Sequence, residues 1–108
     1  MSSINNHWKL IKTVLPQHTD HAGVMWHGSY LNFLEEGRID ALDKIGHSYP
    51  KLSEKGFEIP VVSIQLRYKI SFIHGEKILL ASQFKLENKI RLICKTVFFK
   101  SNGDIGAE

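Results

Sequence analysis

Cysteine is almost missing from this chain: Cys94 stands alone among 108 residues. No intrachain disulfide can form, and nothing points to an oxidising compartment. Apolar residues never run for the ~20 positions that a bilayer-spanning helix needs. The stretch from Met1 to Trp8 lacks the basic region and long apolar run of a secretory leader. Prolines number only three, and no Pro/Gly/Ser-rich linker, repeat or low-complexity segment divides the chain. A single cytoplasmic domain is expected. Clustered charge is lacking as well. The 14 Lys and Arg against 11 Asp and Glu give a net charge of +3, but they are spread along the sequence. That suits a small anionic ligand better than nucleic acid, which would want basic clusters interleaved with exposed aromatics. A domain this small has much surface for its volume and gains stability by associating, so a homo-oligomer is expected.

What the chain does have is concentrated between Gln17 and Glu36, which reads QHTDHAGVMWHGSYLNFLEE. An acid, a glycine turn, a histidine and the start of an amphipathic helix follow one another closely. A carboxylate beside a carbonyl can attack it or take a proton from water. The first N–H groups of a helix lack intrahelical acceptors and favour negative charge on an incoming oxygen. Asp20 and the backbone around His27 and Gly28 therefore hold the two halves of acyl transfer. Each has a plainer reading: Asp beside Gly commonly shapes a turn, Gly23 can be an ordinary loop glycine, and His27 can be a structural histidine. No G-x-S-x-G elbow occurs, which removes the usual serine hydrolase. His18, His21 and His27 raise a metal reading, but a zinc site wants three or four ligands with at least one from an unsignalled position, and no metal or other cofactor is expected. Cys94 lies in an apolar stretch and reads as packed rather than nucleophilic.

Around this segment, Lys9 to Leu15 reads as a strand stopped by Pro16. From Ser29, which can cap, apolar residues at Tyr30, Leu31, Phe33, Leu34, Ala41, Leu42 and Ile45 recur at helical spacing, with Gly46 as the stop. Gly37 inside this helix costs about 1 kcal/mol against alanine unless close packing requires it. Glu35 and Arg38 can pair along the helix, and Glu36 and Asp40 read as its solvated face. A polar loop spans His47 to Glu58. Val62 to Ile70 then alternates apolar and polar residues more cleanly than any other segment. Ile78 to Leu86 and Ile90 to Lys100 give two more strands around a short turn at Asn88. One helix followed by successive strands predicts an α+β fold, an antiparallel sheet wrapped round one helix.

The pattern T-D-x-x-G-V-x-x-H-x-x-Y over Thr19 to Tyr30, followed by E-x-x-R at Glu35 and Arg38, resembles the hotdog-fold acyl-CoA thioesterases. The likeness is to the 4-hydroxybenzoyl-CoA thioesterase group and its short-chain acyl-CoA branch, and the segment Ile59 to Ser63 extends it. The resemblance implies Asp20 as the catalytic aspartate, His27 as the active-site histidine and Tyr30 as the tyrosine opening the helix. It also implies an acyl-CoA substrate bound near Gly28 and Tyr30, with Ser63 completing the pocket of a neighbouring subunit in a homodimer or homotetramer. Lys89 and Arg91 are then candidates for the coenzyme A phosphates, although basic residues at such a place more often belong to a solvated turn. His18 departs from the pattern, since many members carry an acid there. Relatives also continue into one more long strand, so this chain is expected to be a truncated product with Ile105 to Glu108 as the stump. An aromatic acyl-CoA hydrolase, for instance on dihydroxynaphthoyl-CoA, with Trp26 and Phe57 lining the pocket, and a non-catalytic acyl-CoA-binding subunit are the alternatives.

Overall fold

The computed structural model describes residues 8–44, 63–87 and 91–108, with backbone alone at 86, 87 and 91. Strand β1 (Trp8–Thr13) leads through a 3-10 turn, Pro16–His18, into helix α1 (His27–Lys44). Strands β2 (Lys77–Glu87), β3 (Arg91–Phe99) and β4 (Ile105–Ala107) follow. The four strands form one sheet in chain order, each pairing antiparallel with the next. The helix packs across β1, β2 and β3, which is the expected α+β architecture, the hotdog fold.

The sheet presents one face to the helix because strand side chains alternate. Leu10, Leu80 and Phe98 stand opposite one another on that face. From the helix, Tyr30, Phe33, Gly37 and Ala41 come down to meet it at spacings of three and four, and all are buried. Phe33, Phe72 and Phe98 are fully buried, and each such side chain is worth about 1.5–3 kcal/mol against exposure. Leu31, which carries the helical period on paper, is 41% exposed because its position turns it away from the sheet.

Several expectations shift by a residue or a role. The helix begins at His27 rather than Ser29, and Ser29 is buried inside the first turn, its N–H donating to the Trp26 carbonyl at 2.9 Å. Ser29 therefore does not cap. Glu35 and Arg38 do pair, while Glu36 reaches Lys12 and Asp40 reaches Lys44, each at 2.8 Å. Of the segment expected as the cleanest strand, Val62 to Ile70, residues 63–70 are described. Arg67 exchanges hydrogen bonds with Glu108, and Lys69 and Ile70 donate to the Gly106 carbonyl, so this segment meets β4. Ile64, Tyr68 and Ile70 are 52%, 55% and 43% exposed. The helix stop at Gly46, the loop to Glu58, Phe57 and the turn at Asn88 lie outside the described residues. Cys94 is half-buried in β3, and burial pushes its thiol up, which makes it a poor nucleophile.

Gly37 and Gly106 differ in why they are glycine. A methyl group at Gly37 would lie 3.4 Å from the Ser82 hydroxyl and 3.6 Å from Leu80, ordinary contact distances, so packing does not forbid it. At Gly106 the same methyl would fall 2.3 Å from the buried ring of Phe72. Gly37→Ala should therefore stabilise the fold by about 0.5–1 kcal/mol through helix propensity. That corresponds to a melting temperature higher by roughly 2–8 °C. Gly106→Ala should lower it, and thermal melts of the two variants check both signs.

Candidate active site

The loop between β1 and α1 is held by its own backbone and by one carboxylate. Asp20 Oδ1 accepts from the N–H groups of Ala22 at 2.9 Å and Val24 at 3.2 Å. The Asp20 N–H donates to the Val24 carbonyl, and Gly23, at a φ of +79° that side chains rarely adopt, donates back to the Asp20 carbonyl. The turn-shaping reading of Asp20 is thus realised through one oxygen. Its other oxygen accepts no hydrogen bond from the described residues, and the residue is exposed.

The loop then delivers the chain to the helix start. The Trp26 N–H donates to the His18 carbonyl at 3.2 Å and the Met25 N–H to the Phe72 carbonyl at 2.8 Å. His18 is itself engaged: its Nδ1 accepts from the Leu15 N–H at 3.0 Å, and its ring meets the Phe33 ring edge-on at 4.7 Å. The N–H groups of His27 and Gly28 reach no backbone carbonyl among the described residues, since the first amides of a helix have no acceptor within it. The Trp26 indole lies over Gly28, and a methyl group there would fall 2.3 Å from the ring, so the indole would have to swing aside. That indole also meets the His27 imidazole at 5.2 Å.

A cleft of about 410 Å³ opens beside this helix start, lined by Met25, His27, Tyr30, Tyr68, Lys69, Ile70 and Ser71. His27 and Tyr30 are therefore brought together. Asp20 belongs to the turn that leads into Met25 but not to the cleft wall, and Gly28 is next to His27 in the chain with the Trp26 indole against it. Ser63 is exposed and away from the wall. Lys89 and the Arg91 side chain fall outside the described residues. The wall from Tyr68 to Ser71 was not signalled as a site by its sequence, which reads as a simple alternating strand. Tyr68 meets Tyr30 edge-on, ring centres 4.9 Å apart.

Burial pushes the Tyr30 phenol above its ordinary 10.0; a Phe72 backbone hydrogen bond pulls the other way, and charge on Tyr68 and Glu76 adds to the rise. A raised acid of this kind contributes stability that is full below the unfolded value and is lost as pH climbs through the folded one. Above pH 10.0 the wild-type melting temperature should fall more steeply than that of Tyr30→Phe, as melts across the alkaline range can determine.

No protein-family model matches the chain. Over 93 residues it is 36% identical to a Synechocystis protein named "Putative esterase sll0410", covering 85% of this chain and 56% of that one. Over 58 residues it is 36% identical to the Bacillus subtilis protein named "Putative acyl-CoA thioesterase YneP", covering 54% of this chain and 42% of the other. The chain thus spans about half the length of the curated relatives it matches. Among solved structures, the DHNA-CoA thioesterase of Staphylococcus aureus superposes with a TM-score of 0.85 at 26% identity, covering 94% of this chain and 68% of that one.

Proposed function

We propose that the chain, which is similar to a Synechocystis esterase and a Bacillus subtilis acyl-CoA thioesterase in sequence and to a DHNA-CoA thioesterase in fold, is a hotdog-fold thioesterase that hydrolyses the thioester of an acyl-CoA to the free acid and coenzyme A. The observation that carries this is the start of α1: unpartnered N–H groups at His27 and Gly28 beside a cleft that His27 itself lines. A thioester carbonyl directed at those amides would be polarised by them and by the helix dipole, and the negative charge of a tetrahedral intermediate would be stabilised there. The free carboxylate oxygen of Asp20 then either attacks the carbonyl carbon or takes a proton from the attacking water. The imidazole of His27 orients water or substrate, and Tyr30 forms the buried side of the pocket. Neither metal nor redox cofactor enters this scheme. Ser63, Lys89 and Arg91 keep their assignment to the substrate, the serine toward a neighbouring subunit's pocket and the two basic residues toward the coenzyme A phosphates.

The acyl group can be aliphatic or aromatic. The crossed rings of Tyr30 and Tyr68 on the cleft wall favour a planar acyl group as the second reading, since aromatic pairs meet edge-to-face or offset. A panel of short-chain and aromatic acyl-CoAs, read by release of free thiol, separates the two, and no release from any of them leaves an acyl-CoA-binding subunit instead.

Asp20→Asn keeps the side-chain oxygen that accepts from Ala22 and Val24 but loses the charge, so the loop should stay folded while turnover falls at least ~100-fold. His27→Ala should cost less, because the main donor is its backbone. Retention of most activity by Asp20→Asn would move the chemistry elsewhere. Single turnover in isotopically labelled water separates the two roles of Asp20, since label entering its carboxylate marks direct attack.

The enzyme is further proposed to work in the cytoplasm as a homodimer or homotetramer. The exposed apolar side chains of Tyr68 and Ile70 line the cleft and Ile64 precedes them in the same segment, and a second copy lying along this stretch would bury them and close the site. Light scattering should find at least a dimer, and an active monomer would refute the shared site.

A further inference from the structure

The sheet has a second face, turned away from α1, and its composition is unlike that of the first. Ile11 on β1 stands opposite Leu79 on β2, Leu79 opposite Phe99 on β3, and Phe99 opposite Ile105 on β4, so one apolar row crosses all four strands. Ile11 is 65% exposed, and the other three are half-buried. The same face carries Lys9, Lys77, Lys85 and Lys95, all exposed. None of the four takes part in an ion pair with a described residue, although Lys12, Lys44, Lys69 and Lys100 all do. By register one acidic strand position, Glu87, falls on the same face, opposite Arg91.

A solvated strand face ordinarily mixes both signs, whereas the described side chains of this one carry four exposed lysines. A second copy of the chain laid face to face would bring two sets of four lysines together. The partner must therefore be anionic with an apolar layer beneath its charge. Lysine is depleted from specific protein interfaces, where arginine's fork is favoured, whereas it serves diffuse attraction to anionic headgroups well. Its long stem also lies along apolar surface while the ammonium stays in water.

We propose that this face of the sheet docks on an anionic lipid surface, the row from Ile11 to Ile105 resting at the headgroup boundary and the four lysines among the headgroups. The docking is independent of the hydrolytic reading, and it leaves the cleft at the start of α1 open, on the helix side of the sheet. The test is flotation of the chain with vesicles of phosphatidylcholine alone and of phosphatidylcholine mixed with phosphatidylglycerol. Binding should require the anionic lipid and should weaken as salt rises from about 0.05 M to about 0.5 M, because the Debye length shrinks below the spacing of the charges. The pair Lys77→Glu and Lys95→Glu should weaken it at least ~10-fold at low salt, and Lys77→Gln with Lys95→Gln by a smaller factor. Melting curves should establish that both variants remain folded. Equal binding to the two kinds of vesicle, or binding unmoved by charge reversal in a folded variant, would overturn the proposal. So would absence from both vesicles with retention on immobilised polyglutamate, which would assign the face to an acidic protein surface instead.

Discussion

The arrangement depends on Phe72. Its ring is fully buried and rests against Gly106 of β4 on a side where even a methyl group would not fit. The Lys100 ammonium lies 4.4 Å over the ring, held by the Ser71 carbonyl and the Glu76 carboxylate. The Phe72 carbonyl accepts from the Met25 N–H. One residue thus joins the last strand, the end of β3 and the loop that carries Asp20. Since interiors are close-packed, a displacement of this ring would be felt both in the sheet and in the turn that leads to His27.

That coupling matters because the proposed chemistry is done mostly by backbone. Amides polarise a carbonyl only if they are held still and aimed, and the start of α1 is held from several directions. Trp26 is tied to His18, Met25 to Phe72, and the Trp26 indole covers Gly28. Asp20 fixes the turn through one oxygen, and the proposed chemistry would use the other. The structural and catalytic readings of this aspartate do not compete, because they use different oxygens.

The two faces of the sheet divide the molecule's tasks. The inner face buries its aromatics under the helix, with the Ser82 and Thr96 hydroxyls satisfying each other at 2.9 Å beneath Gly37. The outer face keeps an apolar row in view and surrounds it with lysine. Strand alternation produces both from the same residues, since neighbours along a strand point in opposite directions.

The helix, three of the strands and their antiparallel order were legible in the chain itself, because hydrophobic period is a local property that a single element carries whole. Asp20 and the helix start were legible for the same reason, being close together in sequence. The resemblance of that stretch to the hotdog thioesterases supplied roles that spacing alone left open. The sequence could not disclose that the segment ending at Ile70 would meet β4, because which strands pair depends on segments distant in the chain. It could not disclose the wall of Tyr68 to Ser71 either, since a cleft is made by elements distant in sequence meeting in space. Gly28 and Gly37 look alike as helical glycines, yet an indole folds over one and a tolerant gap lies beneath the other. Local pattern determined what each segment would become; contacts between distant segments decided what each residue would be for.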